Sequence, residues 1–252
     1  FTPTDNSNAD GVISVSSPKF VDAAGNNNEV SNTVTLTVDT IEPTISIASD
    51  VTELKVGEKA TLTITLSESS TDFTADDISA AGGSITEFSG EGTSYTATFT
   101  PTDNSNADGV ISVSSPRFTD AAGNANNEVS NTVTLTVDTV EPTISIASDV
   151  TELKVGEKAT LTITLSESST DFTADDISAA GGSITEFSGE GTSYTATFTP
   201  TDNSNADGVI SVSSPKFVDA AGNNNEVSNT VTLTVDTIEP TISIASDVTE
   251  LK

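Results

Sequence analysis

The chain has 252 residues, 38 acidic against 8 basic, and a formal charge of −30. That balance argues against nucleic acid and anionic membrane as direct partners, since both need a basic surface, and it favours solubility and capture of cations. Cys, His, Met and Trp are absent, which excludes disulfides, zinc and haem sites and His-based acid–base pairs of the usual kind.

In chain order, residues 1–40 read as the C-terminal part of a repeat, 41–139 and 140–237 as two complete repeats, and 238–252 as the N-terminal part of the next. Residues 1–55 recur letter for letter as 198–252, and Val51–Thr100 recurs as Val150–Thr199. The edits are few: Ile41 against Val140, Arg117 against Lys216, Thr119 against Val218, and one extra residue in the stretch Asn124–Glu128. A period this long is one domain per repeat, not a solenoid turn. The chain is expected to be a window on a longer array.

Within the first complete repeat the apolar pattern has period two, as in Thr61-Leu62-Thr63-Ile64-Thr65-Leu66. This predicts half-buried antiparallel strands with Thr on the wet face. Strands are expected near Thr44–Ala48, Leu54–Val56, Ala60–Ser67, Asp77–Ala80, Ile85–Phe88, Ser94–Thr100, Gly109–Ser115 and Asn131–Asp138, with one possible helical turn within Thr74–Ala80. Turn clusters at Gly82-Gly83, Gly90-Glu91-Gly92, Asp103–Gly109 and Asp120–Asn127 separate them. Seven or so short strands without a long helix predict an all-β fold: tandem immunoglobulin-like β-sandwich domains arranged end to end. The expected core is Ile45, Ile47, Leu62, Ile64, Leu66, Ile78, Tyr95, Phe99, Ile111, Val113, Val133, Leu135 and Val137.

Four motifs recur in order: Glu42-Pro43-Thr44-Ile45, Leu66-Ser67-Glu68, Tyr95–Pro101 and Phe118–Asn124. Together they resemble the bacterial Ig-like tandem repeats of giant secreted surface adhesins of the RTX and biofilm-associated type. The resemblance implies a structural extender that holds a distal adhesive domain away from a bacterial cell, secreted and displayed at the cell surface. It also implies calcium at the joints of some such arrays. The RTX nonapeptide Gly-Gly-x-Gly-x-Asp is absent, so this is not the calcium-binding secretion end. The implied partners are neighbouring repeats of the same chain, with the adhesive target bound by another region of the parent protein. No direct membrane insertion is expected, since no apolar run approaches the ~20 residues of a span.

The joints offer the candidate chemistry. The interval between Asp138 and Pro142 is short, and Pro142 stiffens it. In an Ig topology the loops at the incoming end would gather Asp138, Glu141, Glu167, Asp219 and Asn223, and one repeat earlier Asp39, Glu42, Glu68, Asp120 and Asn124. Hard oxygen donors in that number suit Ca²⁺. The same residues also suit a solvated rim, and Asp120–Asn124 an Asx-type turn with Gly123 at positive φ. Asp103–Gly109 resembles an EF-hand start, but its Gly falls one place late and Ser114 stands where Glu is needed. Asp72, Asp76 and Asp77 read as surface solvation. Catalysis is not expected, because no His or Cys is available to pair with the many serines. The alternatives are a glycan- or protein-binding module acting by avidity, for which an exposed aromatic cluster is the discriminating feature, and a filament subunit pairing through an edge such as Asn131–Asp138.

Overall fold

The computed structural model describes residues 1–250, which divide into two compact units, Phe1–Val137 and Asp138 onward. Along the chain the strands are β1 Gly11–Ile13, β2 Val34–Leu36, β3 Ile45–Ser49, β4 Glu53–Lys55, β5 Ala60–Ser70, β6 Ile78–Ala81, β7 Gly83–Pro101, β8 Gly109–Val113 and β9 Val133–Asp138. They continue as β10 Ile144–Ser148, β11 Glu152–Lys154, β12 Ala159–Ser169, β13 Ile177–Ala180, β14 Gly182–Pro200, β15 Gly208–Val212 and β16 Val231–Asp236. The expected helical turn is a short 3-10 turn, Ala75–Asp77, repeated at Ala174–Asp176.

Two sheets make each sandwich. In the first unit they run β3-β5-β7 and β4-β9-β8-β6, and in the second β10-β12-β14 and β11-β16-β15-β13. The period-two pattern decides which side faces in. Leu62, Ile64 and Leu66 of β5 are buried while Thr61, Thr63 and Thr65 face water. Ile64 lies opposite Tyr95 and Leu62 opposite Ala97 on β7. The facing sheet contributes Ile111, Val113, Leu135 and Val137. This is the packing expected of two largely antiparallel sheets with one wet face each; the β11–β16 pair at one edge is parallel.

The expected core is observed with one change: Val133 is only partly buried. Leu54, Ala60, Phe73, Ala97 and Phe118 join it. Phe73 is the hub of an aromatic group, with ring centroids 5.1 Å from Tyr95, 5.3 Å from Phe118 and 5.7 Å from Phe88. These edge-on contacts fill the space that a disulfide and Trp occupy in antibody domains. The Tyr95 hydroxyl donates to the Ser70 carbonyl at 3.0 Å, so the phenol is satisfied inside the core.

The strands expected at Ile85–Phe88 and Ser94–Thr100 are the two arms of β7, which folds back on itself. Thr102 N donates to Gly82 O at 2.9 Å, and Thr98 Oγ1 to Glu87 Oε2 at 2.8 Å. Gly90, with φ of 128°, makes the reversal; a Cβ there would lie 2.3 Å from Ser94 O. Among the described residues Lys154–Glu157 pairs at 3.4 Å, on exposed side chains, where such a pair contributes little.

Candidate metal centre

Three segments of the first unit bring carboxylates together. Asp39 lies just ahead of β3 and accepts from Ile41 N at 3.2 Å. Glu68 sits near the end of β5, where the register against β7 shifts between Thr65 and Ser70. The side-chain alternation of β5 continues through this irregularity, so Glu68 is half-buried on the same side as Leu66 and Ser70. Asp120 lies in the β8–β9 loop. Carboxylate oxygens of Asp39, Glu68 and Asp120 lie within 4.8 Å of one another, and Asp138, Glu167 and Asp219 form the same trio in the second unit. Each trio offers only oxygen donors and has the composition to hold a metal ion.

The Asp120 turn is the Asx-type turn anticipated from its sequence. Asp120 Oδ1 accepts from Ala122 N at 2.8 Å and Asn124 N at 2.9 Å, while Gly123 has φ of 93°. Asn124 Nδ2 donates to Asp120 Oδ2 at 2.8 Å and to the Asp39 carbonyl at 3.2 Å. Asn223 repeats this with Asp219 Oδ2 at 2.9 Å and the Asp138 carbonyl at 3.0 Å. As placed, each Asn amide donates to the trio and braces it. The turn forms locally: Asp22 accepts from Ala24 N and Asn26 N, each at 2.9 Å, in the exposed segment near the start of the chain.

Glu42 and Glu141 stand outside the trios. Glu42 Oε1 accepts from Asn127 Nδ2. Asn127 is the extra residue of the first unit, since Asn126 and Asn225 share one role, accepting from Phe118 N and Phe217 N. In the second unit the corresponding loop is held by Glu226 N donating to Pro142 O at 2.9 Å.

The electrostatics of the trio are uneven. Burial raises the pKa of Glu68, and the charges of Asp39 and Asp120 raise it further. Glu167 is raised in the same way by burial, Asp138 and Asp219. Burial also pushes Asp120 upward, but hydrogen bonds from the Asn124 side chain and from the Asn124, Ala122 and Gly123 amides outweigh it and hold its pKa low. The first trio thus sets an Asp held below its ordinary range beside a Glu pushed above its own, with no cationic side chain among the three.

The other acidic candidates have structural roles. Asp72 accepts from Thr119 N and Thr119 Oγ1, both at 2.9 Å, and from Ser70 Oγ at 2.7 Å. Asp77 Oδ2 accepts from Thr74 N at 2.8 Å, capping the 3-10 turn. These correct the reading of Asp72 and Asp77 as mere surface solvation: Asp77 is engaged by its own turn, and Asp72 by Ser70 and by Thr119, 47 residues on. The Asp103–Gly109 stretch is a turn, with Asn104 at φ of 51° and Ala107 N on Ser105 Oγ.

Two observations bear on the alternatives. In the first complete repeat the rings of Phe73, Tyr95, Phe99 and Phe118 are buried, and Phe88 is half-buried against Tyr95, so those five rings form no exposed platform; Phe20, ahead of that repeat, is exposed. Strand β9 lies between β4 and β8, so it offers no free edge for filament pairing. Asn131, expected to begin that strand, lies before it and bonds to β3 through its side chain; nothing in its sequence context marks that role. No helix among the described residues is long and apolar enough to cross a membrane.

The family model described as bacterial Ig-like domain matches residues 39–137 and 138–235. No curated protein matches the chain. Among solved structures, the chain is similar in fold to invasin, described as a bacterial integrin-binding protein, at 13% identity and a TM-score of 0.42, covering 82% of this chain and 43% of that one. It is also similar to the Yersinia pseudotuberculosis adhesin InvE, at 12% identity and a TM-score of 0.30, covering 77% of this chain and 59% of that one. For Yersinia pseudotuberculosis InvD the values are 15%, 0.30, 82% and 61%. The chain thus spans less than two thirds of each of these proteins.

Proposed function

The chain belongs to the bacterial Ig-like domain family, and from that premise we propose that it is a structural extender segment of a large repetitive bacterial cell-surface adhesin. The observation that carries this reading is the repetition of one sandwich with one core: the same side chains fill both units, and the same acidic trio stands at the same place in each. Near-identical domains in series supply length. Bacterial Ig-like domains are in general non-enzymatic.

The acidic trios are the second part of the proposal. Asp39, Glu68 and Asp120, and likewise Asp138, Glu167 and Asp219, are the residues that would hold Ca²⁺, a hard cation that takes six to eight oxygens and accepts water for the remainder. Bound calcium would supply the positive charge that the trio lacks. It would tie the segment ahead of β3 or β10 to the sandwich that follows. Asn124 and Asn223 already hold that segment by its backbone carbonyl, so an ion there stiffens an existing contact.

Small-angle scattering of the full chain with and without Ca²⁺ tests the reading. An elongated particle of about 40–50 Å per unit is expected, from strands rising about 3.3 Å per residue plus loops, with less bending when calcium is present. A compact particle in both conditions overturns the extender reading. An elongated particle indifferent to calcium leaves the extender and removes the ion.

A further inference from the structure

We propose that the side-chain amides of Asn131 and Asn229 latch the first strand of each unit to its last against tension along the chain. This rests on the extender reading, because such tension arises when a chain joins a cell to something held at a distance.

In the first unit the latch has two parts. Asn131, just ahead of β9, closes a two-bond ring on Ile47. Its Nδ2 donates to the Ile47 carbonyl at 2.7 Å, and its Oδ1 accepts from Ile47 N at 2.8 Å. Ile47 is the central residue of β3, which pairs with β5 on its other edge. The second part is the contact of β4 with β9, where Thr136 N donates to Thr52 O at 2.9 Å. The second unit repeats both parts. Asn229 Nδ2 donates to Ile146 O and its Oδ1 accepts from Ile146 N, each at 2.8 Å. There β11 pairs with β16 in parallel, Glu152 opposite Thr234 through Lys154 opposite Asp236.

The direction of these pairs matters. Tension enters a unit at the N-terminal side of its first strands and leaves at the C-terminal end of its last. Parallel neighbours pulled from those opposite ends slide along each other, so their hydrogen bonds stretch together. Strands pulled apart from a shared end would open one bond at a time. The Asn amide adds two bonds that join the first strand to the start of the last, across the two sheets. Separating the ends of a unit requires breaking this set before the core is exposed.

Nothing in either Asn side chain is needed to fill the core, since both residues are solvent-exposed. A purely equilibrium role would make them equivalent to any other hydrogen-bonded surface residue. A latch makes them matter more under load than at rest.

The test is single-molecule stretching of the full chain by its two termini under constant load. Two unfolding steps are expected, each releasing about 300 Å, from roughly 98 residues at about 3.3–3.6 Å each less the folded span. In Asn131→Ala one of the two steps should come roughly tenfold sooner, as expected for losing two ordinary hydrogen bonds from the rate-limiting set, with the other step unchanged. Asn131→Ala with Asn229→Ala should hasten both. The released length reports that each unit was folded before it yielded. Ile78→Val, on β6 and separated from β9 by β8, is the control for general destabilisation. The latch is overturned if Asn131→Ala leaves both steps unchanged, or if Ile78→Val, at an equal loss of melting temperature, hastens unfolding as much. Scattering on the same protein separates the two ideas. A compact particle removes the extender, whereas an extended particle whose steps ignore Asn131 removes only the latch.

Discussion

The side-chain amide of Asn124 donates to the backbone carbonyl of Asp39 at 3.2 Å, across 85 residues of sequence. The same amide holds Asp120 Oδ2. One neutral side chain therefore brings two acidic segments together, leaving their charges to be met by solvent or by an ion.

Calcium should raise the melting temperature of the chain, because an ion bound only by the folded state stabilises it by mass action. Na⁺ at equal ionic strength should only screen. Asp120→Asn should weaken the response of the first unit and Asp219→Asn that of the second. Titration calorimetry and differential scanning calorimetry on the two variants check this. Absence of binding heat at millimolar Ca²⁺ rejects the ion.

The pH dependence of the metal-free chain has an unusual sign near the trios. Glu68 and Glu167 have folded pKa values above the ordinary 4.5, so the folded state holds their protons more tightly. The stability from these groups is present below 4.5 and lost as pH rises through the raised values. Asp120 and Asp72 are held below the ordinary 3.8, so their contribution is present above 3.8 and lost as pH falls through the lowered values. The melting temperature in chelator should rise as pH drops from neutral toward 4.5, then fall below 3.8. Saturating calcium should remove the first rise. Glu68→Gln with Glu167→Gln should also remove it without calcium.

Gly90→Ala should destabilise the first unit by about 1–3 kcal/mol or more, the usual cost of forcing atoms into packed space. The added Cβ meets Ser94 O at 2.3 Å and Tyr95 Cα at 2.6 Å. Gly123→Ala is the contrast. Its φ of 93° is also unfavourable for a side chain, yet nothing lies within 4 Å of the new Cβ, so the loss should be the smaller of the two. Thermal melts of the two variants rank them.

Val218→Thr should stabilise the second unit by about 0.5–1.5 kcal/mol, the net worth of one hydrogen bond. In the first unit Thr119 Oγ1 donates to Asp72 Oδ2 at 2.9 Å. In the second, Val218 gives Asp171 only its backbone N–H, at 3.1 Å, having no hydroxyl. Urea melts of the single variant and of the double variant with Asp171→Ala isolate the pair. A gain that survives loss of Asp171 assigns the effect elsewhere.

Most of the fold was legible in the chain itself. The alternation of Leu62, Ile64 and Leu66 with threonines dictates a strand with one dry side, and the glycines at 90 and 92 mark the reversal of β7. The Asp120–Asn124 turn was legible too, because Asx turns are local; the Asp22–Asn26 copy forms without any neighbouring trio. What the tertiary structure decided shows in identical text with different outcomes. Ile45 and Ile47 are 8% and 4% exposed in β3, whereas Ile242 and Ile244, in the same wording, are 89% and 91% exposed and form no strand. Phe217 is 1% exposed and its exact repeat Phe20 is 64% exposed. Strand β3 needs the edge of β5 for its hydrogen bonds, and each Phe needs the facing sheet to be buried. For the same reason the Asn131 clip, the Asp72–Thr119 contact and the meeting of Asp39, Glu68 and Asp120 were beyond local pattern. Each joins residues dozens of positions apart, and it is the packing of two sheets that sets the distance between them.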